Sequence, residues 1–175
     1  DRVILTHFDD DHINGVEHLL ARMDVKTLTV PETDGPARDA VLNLAAVYGV
    51  AVETVTEETA LPFGDAELTI FPPLGTGGSN ELGLTVLATA GENDFLVTGD
   101  MERATEKKLI ETYNLPDIEV LMAGHHGSKG STSEELLEAV TPETVIISVG
   151  SNSYGHPAED TLRRLARAGC AGYRT

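Results

Sequence analysis

Residues 7–12 read His-Phe-Asp-Asp-Asp-His, two imidazoles and three carboxylates in six consecutive positions. They follow the short apolar run Val3 to Thr6 and precede Val16, Leu19, Leu20 and Met23, which recur at helical spacing. That pattern places the cluster where a buried strand ends and a helix is about to start. Carboxylates crowded at one end of an apolar core repel one another unless something positive is shared among them. Taken alone, an acidic loop of this kind is more often a solvated turn than a metal site.

Three further clusters change that balance. Thr98-Gly99-Asp100, Gly124-His125-His126-Gly127-Ser128 and Tyr154-Gly155-His156-Pro157 each close a strand-like run, and five of the six histidines fall within the four clusters. Singly each is a common turn; jointly they supply the imidazole and carboxylate mixture that divalent transition metals take. A carboxylate has two oxygens with which to bridge a pair of ions. Asp100 is the bridging candidate, because it follows the strand Asp94 to Thr98 and Gly99 lets backbone approach closely. His7 and Asp9 are expected on one ion, with Asp11 and His12 turned to the other. His18, on the first helix, is expected at the surface, Asp10 in solvent, and Cys170 as a small core residue.

Strands are expected at 26–30, 50–55, 66–72, 82–89 and 94–98, and an amphipathic helix at 36–48 stopped by Gly49. Beyond Gly99, helices at 101–113, 133–140 and 158–168 alternate with strands at 118–123 and 144–149. A strand meander followed by αβ units indicates a layered mixed α/β architecture. The acidic stretch 57–67 is expected as solvated surface and the Gly/Pro/Ser-rich stretch 72–80 as the most mobile loop.

At 175 residues the chain has the size of one domain. A formal net charge of −17 argues against capture of nucleic acid by a broad basic face, which needs Lys and Arg. One cysteine allows no internal disulfide. No apolar run approaches the roughly 18 residues of a membrane span, so no membrane insertion by this segment is expected.

The stretches HFDDDH, TGD, GHHGS and SVGSNSYGHP, in this order and at these separations, resemble the metallo-β-lactamase superfamily, and within it the ComEC branch of DNA-uptake competence domains. The likeness covers nearly the whole chain, with GHHGS and SNSYGHP its most specific parts. Asp9 stands where the usual His-x-His-x-Asp-His opening has its second histidine, as in this branch. No histidine lies between His18 and His125, so the His125-His126 pair is expected to replace the ligand that other branches take from mid-chain. The resemblance implies an α/β, αββα sandwich, with residues 1–175 one hydrolase domain cut from a longer chain and lacking a first β-hairpin region and a last strand.

The resemblance further implies a metal-dependent phosphodiesterase, a nuclease-like soluble domain acting on single-stranded DNA during uptake. Its setting would be a bacterial membrane-associated protein, beside a membrane channel domain of the same protein or complex. Two divalent ions, Zn or Mn, about 3.5 to 4 Å apart would activate a bridging hydroxide. His7, Asp9 and one of His125 or His126 are expected on the first ion, Asp11, His12 and His156 on the second, and Asp100 on both. Asp11, His125 and His126 are expected to act in the chemistry, the non-ligating histidine of the pair protonating the leaving oxygen. Ser128, Asn152 and Tyr154 are expected to contact phosphate oxygens. Two other classes fit the same residues: a hydrolase of small phosphodiesters or other esters, and a non-catalytic binding domain beside a channel. Ligands kept at every motif speak against the second. A chain beginning at Asp1 is expected to bind metal incompletely, to show little activity, and to self-associate through the edge of its first strand.

Overall fold

The computed structural model describes residues 1–175, in which two sheets face each other. The smaller sheet is β1 (Arg2–Ile4), β2 (Thr27–Pro31) and β3 (Ala51–Val55), all parallel, with β1 at one edge. The larger sheet opens with an antiparallel meander of β4 (Thr59–Phe63), β5 (Ala66–Phe71), β6 (Thr85–Ala90) and β7 (Asn93–Val97). It continues in parallel from β7 through β8 (Val120–Met122), β9 (Thr144–Ile147) and β10 (Ala171–Arg174). Parallel neighbours need long crossovers, and helices supply them. These are α1 (Asp10–Ile13), α2 (Val16–Arg22) and α3 (Pro36–Val47) around the small sheet. On the large sheet they are α4 (Arg103–Thr112), α5 (Glu134–Val140) and α6 (Glu159–Ala168).

Three apolar clusters define the layers. Leu20, Val41 and Ala45 of α2 and α3 pack on Leu28 and Val30 of β2, while Leu109, Leu136, Leu137 and Leu165 of α4, α5 and α6 pack on Leu96, Leu121 and Val145. Between the sheets lie Val55, Ile70 and Leu84, with Ile4, Leu61 and Val86 against them. The order is therefore helices, sheet, sheet, helices, as the resemblance implied.

The expected elements recur with small shifts at their ends, and the exceptions have physical causes. Thr59–Phe63 is a strand, although Pro62 and the surrounding acids hide it; as the edge of the sheet it tolerates a proline and remains largely exposed. Ala171–Arg174 is a strand that runs beside β9 with no buried residue, so it carries no apolar pattern to read. The acidic cluster is not all loop, because Asp10–Ile13 forms a helical turn that ties His12 N and Ile13 N to Asp9 O. His18 and Asp10 are exposed, and Cys170 packs against the larger core.

Candidate metal centre

Every motif of interest leaves the carboxyl end of a strand: His7 after β1, Asp100 after β7, the His125-His126 pair after β8 and the 150–157 loop after β9. Ligands commonly bind at the carboxyl ends of parallel strands. Backbone bonds draw the ends together: Leu84 N donates to Thr6 O at 2.7 Å and His125 N to Gly99 O at 3.1 Å. Gly99 is required there. Its φ is +62°, and a Cβ would lie 3.2 Å from Thr6 Cβ.

Asp100 sits in the middle with 4% of its surface exposed. Its Oδ1 is 3.3 Å from His12 Nε2, and its Oδ2 lies 3.7 Å from His125 Nε2 and 3.8 Å from both His7 Nε2 and His126 Nε2. On one flank Asp9 Oδ2 is 3.9 Å from His7 Nε2. On the other, His126 Nε2 is 3.1 Å from Asp11 Oδ2 and 3.3 Å from His12 Nε2. Asp100, His7 and His12 form one group able to surround a cation, and Asp11, His12 and His126 another.

The donor set suits a divalent ion. His7 is 1% exposed, yet its Nε2 is buried with no hydrogen-bond partner, its carboxylate neighbours standing too far off to be acceptors. Thr6 Oγ1 is 3.1 Å from His7 Nδ1, and His126 Nδ1 donates to Ser148 O at 2.9 Å, which leaves the His126 Nε2 lone pair aimed at Asp11 and His12. Holding a histidine by its second nitrogen is how proteins present the first to a metal. Charge follows the same design. Burial lowers the pKa of His7, helped by His12 beside it, and keeps the ring neutral. Burial also opposes ionisation of Asp100, but the bond and charge of His12 overcome it and hold the carboxyl below its ordinary value. The reciprocal attraction, against burial, raises His12.

His125 and His126 both adopt left-handed backbone, φ 50° and 53°. Neither is a glycine, so the conformation is strained and needs support. It comes from a buried network that sequence reasoning missed. Glu106 of α4, fully buried, accepts the Thr132 and Ser133 amides, while Arg164 of α6 donates to Thr132 O at 3.0 Å and Ser131 O at 2.7 Å. Gly124 N donates to Thr132 Oγ1 at 3.0 Å, linking this loop to the histidine pair. Burial raises the Glu106 pKa although its amide donors and Arg164 oppose the rise. Both residues sit on helices of ordinary amphipathic pattern, where a lone charge reads as solvated surface.

Three expected residues are placed differently. The imidazole facing Asp11 and His12 is His126, not His156, because the left-handed turn at 125–126 swings the second ring across. His156 instead lies edge-on to His125, centroids 5.5 Å apart and planes at 64°, its Nδ1 buried without a partner. Ser128 is buried, accepts from Gly130 N and does not line the open cleft. Asn152 has no free amide group for phosphate: its Nδ2 donates to Gly150 O and His156 O, and its Oδ1 accepts from Tyr154 N and His156 N. It folds the loop that carries His156. Tyr154, by contrast, is 82% exposed beside the site.

Residues 1–151 match the family described as the metallo-beta-lactamase superfamily. Over 172 residues the chain is 36% identical to ComE operon protein 3 of Bacillus subtilis, covering 95% of this chain and 22% of that protein. It is 34% identical to Recombination protein 2 of Haemophilus influenzae, over 95% of this chain and 20% of that one. The chain thus spans about a fifth of the length of these relatives. Its fold is that of the metallo-beta-lactamase fold protein YhfI from Bacillus subtilis, with a TM-score of 0.66 at 11% identity, covering 100% of this chain and 74% of that chain. The protein therefore belongs to the metallo-β-lactamase superfamily of hydrolases, a fold family that implies divalent metal ions. A third relative, Competence protein ComA of Neisseria gonorrhoeae, is 42% identical over 89 residues, covering 49% of this chain and 13% of that protein, and the three relatives are ComEC-like competence proteins. No helix is long and apolar enough to cross a membrane.

Proposed function

We propose that this chain is a binuclear metal-dependent phosphodiester hydrolase that cuts DNA, as single strands, during uptake in competence, beside a membrane channel domain. The observation that carries the reading is Asp100, a buried carboxylate with four imidazole Nε2 atoms around its two oxygens. His7, Asp9, His125 and Asp100 would hold one ion, and Asp11, His12, His126 and Asp100 the other. Zn²⁺ and Mn²⁺ both suit such a thiolate-free set of nitrogen and oxygen ligands. When bound, the ions would polarise the phosphoryl oxygens and lower the pKa of the attacking water.

The chain's own groups do the rest. Asp11, exposed at the mouth of the cleft, orients the attacking water. With His7, His12, His125 and His126 taken as ligands, the last held through its bond to Ser148 O, the imidazole left to give a proton to the leaving oxygen is His156. His156 is assigned that role because it lines the cleft. Asn152 keeps it there. The competence relatives supply the reason for choosing DNA over a small ester.

Metal-loaded protein should hydrolyse an end-labelled single-stranded oligonucleotide and a chromogenic phosphodiester, with Mn²⁺ or Zn²⁺ restoring activity after chelation. Protein that carries its metals and cleaves neither substrate would overturn the reading. Cleavage of the chromogenic ester alone would reassign it to small phosphodiesters.

A further inference from the structure

The cleft beside the centre has lining groups for which hydrolysis itself has no use. Asp11, His126 and His156 line it together with Tyr154, Arg174 and Thr175, around a volume of about 780 Å³. That is within the usual size of sites for small ligands. The Tyr154 ring is parallel to His156 to within 20°, with centroids 6.0 Å apart, and the residue is 82% exposed. Its backbone is fixed, because Tyr154 N donates to Asn152 Oδ1 at 3.1 Å. A large aromatic ring held in water by an ordered loop gains apolar burial only when something covers it.

Arg174, at the end of β10, is the sole lysine or arginine lining this cleft. Its guanidinium makes no ion pair or hydrogen bond within the protein, whereas Arg2, Arg163 and Arg167 pair with Glu53, Glu159 and Glu134. In a chain of net charge −17, an unpaired guanidinium facing a cleft is the exception.

We infer that Tyr154 and Arg174 form a subsite for unpaired nucleic acid next to the scissile linkage. Tyr154 stacks on one base and Arg174 pairs with an adjoining backbone phosphate. The position of the scissile group rests on the phosphodiesterase reading; the binding does not. A flat ring offers the sequence-tolerant stacking that single strands use, and a base inside a duplex already has both faces covered. A guanidinium matches a phosphate with two parallel hydrogen bonds. Together the two residues select single strands without reading sequence, and one cation on an acidic protein keeps the hold weak and releasable.

Fluorescence anisotropy of a labelled oligothymidylate, titrated with the metal-loaded protein, tests this. Tyr154→Ala should weaken binding about tenfold, while Tyr154→Phe, which keeps the stacking face, should stay within about twofold of the parent. Arg174→Ala should weaken binding and flatten the slope of log affinity against log salt by about 0.7, and Arg22→Ala, outside the cleft, should not. With the strand annealed to its complement, Tyr154→Ala should match the parent. No binding by the parent, equal binding by parent and Tyr154→Ala, or an unchanged salt slope for Arg174→Ala would overturn the subsite. Protein that binds with these preferences but cleaves nothing would keep the subsite and overturn the hydrolase reading; protein that cleaves while all variants bind alike would do the reverse.

Discussion

Gly99 shows how narrowly the centre is specified at the scale of one residue. Its left-handed backbone turns the chain from β7 into Asp100, and Thr6 closes the space a side chain would need. Gly99→Ala is expected to cost about 1–2 kcal/mol from backbone strain alone, measured by urea denaturation, with further loss from the Thr6 contact. Full stability would mean that the turn at 99 is not what delivers Asp100. The residues that gather around Asp100 were legible in the sequence because each stands in a short motif at the end of an apolar run. Their pairing was not. Which imidazole joins Asp11 and His12 depends on two left-handed residues, His125 and His126, and no local pattern announces a histidine in that conformation. Asn152 and Ser128 were legible as polar groups near the motifs, but their bonds turn inward, which only the folded loop reveals.

At the scale of elements, α4 and α6 grip the loop after the histidine pair from two sides. Glu106→Ala leaves the Thr132 and Ser133 amides buried without acceptors, an expected loss of about 2–3 kcal/mol. Arg164→Ala strands the Ser131 and Thr132 carbonyls similarly. Because both residues hold one loop, the double variant should lose less than the sum of the two, a coupling that chemical denaturation of all four proteins measures. Strict additivity would mean that the two helices support the loop independently. Strands with apolar cores and helices with clean periodicity were readable from sequence; β4 and β10 were not, since edge strands bury too little to leave a pattern. Glu106 escaped for the opposite reason, a buried charge whose partners are backbone atoms 26 and 27 residues away.

Across the whole molecule, the two sheets meet over a thin apolar layer centred on Val55, Ile70 and Leu84, and the centre spans both at one end. Bound metal would tie β1 of one sheet to β7 and β8 of the other. Ligand bound only by the folded state stabilises it by about 4 kcal/mol at a thousandfold excess over Kd. For a chain of this size that is roughly 10 °C in Tm. Chelation should therefore lower Tm by about that amount in a scanning experiment, and readdition of Mn²⁺ or Zn²⁺ should restore it. An unchanged melting curve would show that the sheets do not depend on the centre for their junction.

Asp100 is proposed as the carboxylate shared by two ions, and counting metals per chain by elemental analysis tests that most directly. In place of the incomplete loading expected from the sequence, the four imidazoles gathered around Asp100 lead us to expect two divalent ions in the parent protein, and Asp100→Ala to lose both, since removing the shared carboxylate leaves two cations with nothing between them to offset their repulsion. A variant that folds and still carries two ions per chain would show that Asp100 does not bridge them.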